Sequence, residues 1–414
     1  MRILILGWEL PPHNSGGLGV ACYQLAKHLA VEGVEIDFVV PYKADHSEIT
    51  FMRVHAATPH TPRELQIATA GAYGSNRYFD QEADSDFGGA SGLRWQQRRY
   101  TEFVKQLVKR EHYDVIHAHD WLTYEAGMEA RKITQRPLIA HVHATEFDRA
   151  GGESGNPLVH EIEYAGLLMA DRIMAVSQAT KNILVQRYDI PADKIEVVHN
   201  SIDTSEFSDL VANQTYQYLN HMKRKGYTVV VSVGRLTIQK GLKFLLEAVA
   251  LAVRQNPKIL LVIAGSGELY AELIEQAAEL GIGENVMFTG FVRGVAWRDV
   301  YAVADMFVMP SISEPFGLVA LEAAGYGSAV LVSKQSGVAE VLHHVLRFDF
   351  WDTHLLASQI AALSESSALQ LELTHNMQHE FSNLSWRRAA EICVHNYRQL
   401  AATAATAGIA GGAA

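Results

Sequence analysis

Residues 3–40 run Ile3-Leu4-Ile5-Leu6, then a Pro- and Gly-rich stretch ending in Asn14-Ser15-Gly16-Gly17-Leu18-Gly19. Leu18, Cys22, Leu25 and Leu29 follow at helical spacing, and then Ile36-Asp37-Phe38-Val39-Val40. A short apolar run, a turn-rich loop, a 3.6-residue period and a second apolar run predict strand, loop, helix, strand. Short β-rich runs recur at Val115-Ile116-His117, Leu138-Ile139-Ala140, Arg172 to Val176 and Ile195 to Val198, with helix-length segments between most of them. Such alternation implies a parallel sheet covered by helices.

The periodicity fades over residues 203–227, a polar stretch with Asn213, Gln214, Lys223, Arg224 and Lys225, and then restarts. The second series holds strands at Val229–Val233, Ile259–Ala264, Val286–Phe288, Met306–Met309 and Ala329–Val332. The expected organisation is an α/β domain over 1–205, a linker over 206–226 and a similar α/β domain over 227–384. An amphipathic helix over 385–400 is expected to join one of them, most simply the first. Residues 401–414, mostly Ala, Thr and Gly, are expected to form a frayed tail. Residues 51–92 resist the pattern. The helix after them carries Tyr100, Phe103, Val104, Leu107 and Val108 on one side and Arg94, Arg98, Arg99, Lys105, Lys109 and Arg110 on the other. A solvated charged face is the favoured reading of that basic side, ahead of peripheral contact with a membrane or an anionic acceptor.

The chain has 414 residues, of which 48% are hydrophobic and 20% charged, a composition that excludes a wholly disordered protein. Thirty-five basic against 46 acidic side chains give a net charge of −11, so attraction to nucleic acid is not expected. Two cysteines, Cys22 and Cys393, make neither a disulfide framework nor a four-thiolate metal site. No apolar run approaches the roughly 20 residues of a membrane span. A cytoplasmic location is expected.

The stretch richest in chemistry is Ser311-Ile312-Ser313-Glu314-Pro315-Phe316-Gly317-Leu318-Val319-Ala320-Leu321-Glu322, directly after a strand. Proline suits the first turn of a helix. A helix starting there would leave the amides of Phe316, Gly317 and Leu318 as free donors for phosphate or sugar hydroxyls. Glu314 and Glu322 would then stand ~12 Å apart along it, a span that could match the two sugars flanking a diphosphate. The plainer alternative makes Glu314 a cap and Glu322 a solvated helix residue. Gly234-Arg235-Leu236-Thr237-Ile238-Gln239-Lys240-Gly241 follows another strand, and its two cations are placed to hold phosphate oxygens at the edge where open parallel sheets bind ligands. Gly265-Ser266-Gly267 belongs to the same edge. In the first half, Asn14 to Gly19 joins strand to helix, the setting of a phosphate-cradling turn. It lacks the full G-x-G-x-x-G spacing, and no acidic residue follows the second strand, which disfavours a dehydrogenase.

Two histidine pairs, His117-Ala118-His119 and His141-Val142-His143, have the spacing that puts both members on one face of a strand. With no nearby Cys and no H-E-x-x-H to complete a ligand set, a metal is disfavoured. His117 and His141 read as core histidines and His143 as a hydrogen-bonding group. Asp84-Ser85-Asp86 reads as an acidic turn.

Taken in order, G-G-L-G (Gly16 to Gly19), H-A-H-D-W (His117 to Trp121), H-x-T-E (His143 to Glu146), H-N-S-I-D (His199 to Asp203), G-R-x4-K-G and E-P-F-G-L-x3-E resemble retaining glycosyltransferases of the GT-B fold, family GT4 or group 1. The first half is similar to glycogen and starch synthases. The resemblance implies two Rossmann-like domains facing an interdomain cleft and a donor that is an ADP-, UDP- or GDP-sugar. It implies that Arg235 and Lys240 hold the diphosphate, Glu322 the ribose and Glu314 the transferred sugar. Backbone amides of Gly17, Gly265, Phe316, Gly317 and Leu318 would line the donor, with Asn200 beside it and His143 hydrogen-bonded to its sugar. Asp120 and Glu9 would face the acceptor, Asp120 within the catalytic set. No cofactor and no metal is implied, since two cations and a helix end can take a metal's place. The expected activity is hexosyl transfer, glucosyl above all, to an acceptor hydroxyl. A disaccharide phosphorylase or synthase, a nucleotide-sugar epimerase on the same fold, or a non-enzymatic sugar-nucleotide sensor are the alternatives. The Gly7-Trp8-Glu9-Leu10-Pro11-Pro12 opening and the G-G-L-G loop depart from the T-G-G-L-A pattern of starch synthases, which leaves the acceptor open between a glucan, another glycan, a lipid and a small molecule.

Overall fold

The computed structural model describes residues 1–14, 16–65, 92–207 and 214–411, so Ser15 of the glycine loop and the Asp84-Ser85-Asp86 turn lie outside the described residues. The chain divides into two units. The first comprises Met1–Phe147, Ser154–Asn200 and the segment from Trp386, and the second Asp148–Glu153 with Ser201–Ser385.

Unit 1 opens with β1 (Arg2–Leu6), α1 (Gly17–Val31), β2 (Glu35–Val40), β3 (Arg53–Ala56) and α2 (Leu93–Arg110). It continues with β4 (Val115–His119), α3 (Trp121–Thr134), β5 (Leu138–Val142), α4 (Glu146–Arg149, which straddles the unit boundary), α5 (Pro157–Met169), β6 (Arg172–Ala175), α6 (Gln178–Tyr188) and β7 (Ile195–Val197). Its seven strands lie in the order β3-β2-β1-β4-β5-β6-β7. Every pairing is parallel. Strands of a parallel sheet are covered on both faces and so read as unbroken apolar runs; Ile3, Leu4, Ile5 and Leu6 are all buried. On α2 the apolar side meets the sheet through Tyr100, whose hydroxyl donates to Gly7 O at 3.0 Å. Its basic side is partly tied down: Arg94 pairs with Glu125 of α3 at 2.8 Å, and Lys105 with Glu102 at 3.1 Å.

Unit 2 repeats the plan with α7 (Gln217–Arg224), β8 (Thr228–Val233), α8 (Leu242–Gln255), β9 (Ile259–Ala264), α9 (Tyr270–Glu279), β10 (Val286–Gly290), α10 (Gly294–Ala302), β11 (Met306–Met309), α11 (Leu318–Gly325), β12 (Ala329–Ser333), β13 (Leu346–Phe348), α12 (Thr353–Glu365) and α13 (Ser367–Phe381). The six strands run β10-β9-β8-β11-β12-β13, again all parallel. The span expected as a linker is partly built into this unit: Leu219 of α7 is buried, and Phe207 packs its ring against Tyr326 and Phe381. Short polar segments with one or two apolar anchors escape a periodicity reading.

The last helix, α14 (Trp386–Gly411), returns to unit 1. Tyr397 Oη lies 2.6 Å from His117 Nδ1, and Cys393 Sγ 3.5 Å from Met174 Sδ on β6. The sequence reading ends this helix at Leu400 and expects a frayed tail, whereas the helix runs on to Gly411. Alanine is the strongest helix former, and Ala401, Ala402, Ala404, Ala405 and Ala407 continue the helix without needing a surface to pack on. Among the described residues no helix is long and apolar enough to cross a membrane.

Candidate active site

In unit 2 the chain adds strands outward from β8 in one direction and from β11 in the other, so the loops after these two neighbouring strands diverge. This is the topological switch point at which open α/β sheets bind ligands. The loop after β8 carries Arg235 and Lys240, and the loop after β11 carries Glu314. Two backbone-directed hydrogen bonds stitch the loops together: Ile312 N–H donates to Gln239 O at 2.8 Å, and Gln239 Nε2 donates to Ser313 O at 2.9 Å. Across them Lys240 Nζ pairs with Glu314 Oε2 at 2.5 Å, and Ser311 Oγ donates to the same oxygen at 3.0 Å. Both charged groups are largely out of water, with side-chain exposures of 18% and 10%. Arg235 is half-buried on the same loop. It lines a small cavity with Gly234, Leu236, Lys240, Ser311 and Val319.

Two glycines explain how the backbone fits here. A side chain at Gly265 would put its Cβ 1.8 Å from Gly234 O, so this glycine is needed for loop to pass loop, whatever it binds. Gly317 holds φ +108°, a region L-residues rarely adopt, and caps α11. That cap corrects the sequence reading: α11 starts at Leu318, not at Pro315. Glu314, Pro315 and Phe316 form an irregular stretch, held where Glu314 N–H donates to Gln335 O and Gly337 N–H to Glu314 O, both at 3.0 Å. The helical rise that put Glu314 ~12 Å from Glu322 therefore does not apply. Of the three amides, Leu318 N alone belongs to the first helical turn, Gly317 is the cap, and Phe316 is buried before it.

Glu322, on α11, accepts a hydrogen bond from Tyr301 Oη at 2.6 Å. Burial and the adjacent Glu322 carboxylate push the Tyr301 phenol well above its usual range, so it remains a donor. Tyr301 stacks on Tyr326, rings 5.8 Å apart and 2° from parallel. Nothing in the sequence singled out Tyr301. Another contact missed is Ser313 Oγ donating to the buried Asp148, within unit 2.

Unit 1 has its own switch point between β1 and β4. Glu9 lies in the loop after β1 and Asp120 directly after β4, and both are buried. Asp120 holds φ +58° and ψ 169°, backbone space that belongs essentially to glycine and costs of order 1–3 kcal/mol. What holds it there is a hydrogen-bond set: its N–H donates to His141 O at 2.9 Å, and its Oδ1 accepts from His143 N–H at 2.7 Å. The carboxylate thus ties the end of β4 to the loop after β5. Gly17 is the exposed first residue of α1, and Asn200 is buried at the end of the second segment of unit 1.

The register of β4 against β5, with His119 opposite His141, brings the two histidine pairs into one stack. His117 and His119 have ring centroids 4.4 Å apart, as do His141 and His143. His117 Nε2 lies 3.1 Å from His141 Nδ1, and His119 Nδ1 lies 2.9 Å from His143 Nε2. Burial pushes all four imidazoles below their usual range, reinforced among His117, His119 and His141 by the neighbouring rings, while Asp120 opposes the shift at His143. The stack is neutral near pH 7. In this arrangement His143 Nε2 is engaged by His119, and its Nδ1 is buried with no hydrogen-bond partner.

Residues 220–380 match the family model of glycosyl transferases group 1, and residues 15–206 that of glycosyltransferase family 4. A glycosyltransferase of Methanocaldococcus jannaschii is 32% identical over 356 residues, 83% of each chain. A glycogen synthase of Mycobacterium tuberculosis is 28% identical over 355 residues, 83% of this chain and 80% of that one. Among solved structures, Anabaena HepE in complex with UDP and glucose superimposes with a TM-score of 0.69 at 19% identity, over 96% of this chain and 99% of that one.

Proposed function

The chain belongs to the group 1 glycosyltransferases of family 4, with the GT-B fold, and from that premise we propose that it transfers a hexosyl group, glucosyl first, from a nucleoside diphosphate sugar to an acceptor hydroxyl with retention of configuration. One observation carries the reading: the R-x4-K and E-x7-E motifs, 74 residues apart between Lys240 and Glu314, meet as an ion pair at the unit 2 switch point. An ammonium held beside a carboxylate is a pre-formed, partly desolvated charge. A diphosphate arriving there draws Lys240 away from Glu314, and Arg235 supplies the second cation, so the leaving group's growing charge is neutralised without a solvent shell to reorganise. Glu314, released from Lys240, is then free to accept from a sugar hydroxyl. Glu322, oriented by Tyr301, would take the ribose.

Glu9 and Asp120 in unit 1 are assigned to the acceptor side, and His143 to the donor sugar. For His143 that role needs its ring to turn out of the contact with His119. The uridine nucleotide and the glucose of the HepE complex, together with the glycogen synthase similarity, favour UDP-glucose or ADP-glucose as donor and a glucan as acceptor. The chemistry needs no metal in this reading, and the location is cytoplasmic.

A nucleotide-sugar panel tests it. One nucleoside diphosphate glucose should raise the melting temperature and release nucleoside diphosphate only when a glycan acceptor is added, with the α-anomer of the donor preserved in the product by NMR. Phosphate-dependent sugar release in its place would make the chain a phosphorylase, and donor binding without turnover on any acceptor would make it a sensor.

A further inference from the structure

The histidine stack does more than fill the core of unit 1. Cys22, on α1 and buried, comes up against it: Cys22, His119 and His143 each bring one ligand-type atom, and these three atoms lie within 4.8 Å of one another. Ligands around a tetrahedral zinc ion stand roughly 3.3–3.8 Å apart, as follows from bonds of about 2.0–2.3 Å to nitrogen and sulfur. Modest side-chain rotations close the difference. A second set, His117, His119 and His141, is equally close but poorer: both nitrogens of His117 are already committed, to Tyr397 and to His141, and all three rings are fully buried. The Cys22 set is the less enclosed, because His143 is half-buried.

Three further observations point to a cation. His119 Nε2 and His143 Nδ1 are buried with no hydrogen-bond partner, and an unsatisfied buried polar atom costs about 1–3 kcal/mol. The thiol and two imidazoles combine soft and borderline donors in a region that disfavours added negative charge: burial, with the charges of Asp120 and Glu9 adding to it, holds the Cys22 thiol well above its usual range. A divalent ion reverses that penalty by supplying positive charge where both carboxylates act. A sulfur and two nitrogens are the donor chemistry of zinc and its neighbours, not of magnesium or calcium.

We propose that Cys22, His119 and His143 form a binding site for one borderline transition-metal ion, zinc in the first instance, within unit 1. On binding, the Cys22 S–H bond gives its proton to solvent as the sulfur–metal bond forms, and each imidazole contributes a neutral nitrogen lone pair. The fourth position is left to water or a carboxylate. The site itself does not depend on the transferase reading. If that reading holds, metal and donor sugar compete for His143, and the ion is an inhibitor.

Cobalt(II) serves as the optical probe on the full chain after treatment with a chelator. One equivalent should bind and give intense tetrahedral visible bands together with a near-ultraviolet thiolate-to-metal band, both removed by one equivalent of zinc. Cys22→Ser should abolish the thiolate band and weaken binding by more than the roughly 10–100-fold that loss of an outer-sphere partner costs. His119→Ala should bleach the visible bands. Cys393→Ser, at the other cysteine, should change neither. The proposal is overturned if stoichiometric protein leaves the cobalt spectrum that of the hydrated ion, or if Cys22→Ser binds cobalt with unchanged affinity and spectrum. Should His119→Ala fail to fold, the Cys22→Ser and Cys393→Ser pair still decides. All of these readouts are independent of turnover, so an inactive enzyme that binds cobalt in this way sinks the function and spares the site.

Discussion

The two units share a parallel sheet and a switch point, yet the loops at those points carry opposite chemistry. After β8 stand two cations, one of them neutralised by a carboxylate from the loop after β11. After β1 and β4 stand two buried carboxylates beside a neutral histidine stack. Topology gives both loops room for a ligand, and it does not choose the ligand. Side-chain charge does that, and under the proposed function the two cations of the unit 2 edge are the side chains that take the diphosphate.

The strongest test of this asymmetry is Lys240→Ala. It should lower kcat/KM by roughly 100–1,000-fold, the usual cost of removing one preorganised charge from a leaving group, and leave the fold intact by circular dichroism. Turnover at the wild-type rate would place the phosphate elsewhere and erase the distinction between the two edges. The next effect is on stability and belongs to unit 1 alone. Imidazoles whose pKa is depressed by folding bind fewer protons than in the unfolded chain, so their stabilising effect is complete above the unfolded value near 6.5 and is lost as pH falls below it. For metal-free protein the free energy of unfolding should fall by about 1.4 kcal/mol per pH unit for each such histidine between pH 6.5 and 5. The slope should be shallower in His141→Gln. The unit 2 loops over 234–241 and 310–317 contain no histidine and add nothing in that window. An equal slope in the variant would mean that the stack is not what titrates. The smallest effect concerns Asp120. Asp120→Gly should change stability by less than about 1 kcal/mol, because relief of a backbone strain of about 1–3 kcal/mol offsets the loss of the side-chain hydrogen bonds from the His143 and Ala144 amides, while the backbone bond to His141 O stays. Transfer should nonetheless fall sharply, since the carboxylate is gone. A stable, active glycine variant would reduce Asp120 to a turn residue.

Most strands of both sheets could be read in advance, because a buried parallel strand is mainly an apolar run. β3 and β13 could not: Arg53–Ala56 and Leu346–Phe348 are edge strands, three or four residues long, and half-polar. The loops after β8 and β11 could be placed from glycines and charged residues that follow strands. The start of α11 could not, since Pro315 fits a first helical turn as well as it fits the irregular stretch it occupies, and it is the bridge from Glu314 to Ser336 on another loop that decides. His117 and His141 could be assigned to the core from their position in apolar strands. That the four rings form one stack, with Cys22 against it, depends on the register of two strands 24 residues apart and on a helix from the other end of unit 1, and no local pattern encodes either.

Unit 1 is sewn shut by a stretch of chain made 280 residues after the imidazole it touches, the Tyr397 hydroxyl at His117. On the ribosome, then, the domain translated first matures last. Its sheet emerges early but keeps the flank meant for α14 uncovered while all of unit 2 is synthesised, and a nascent chain halted before Tyr397 would leave that apolar flank bare.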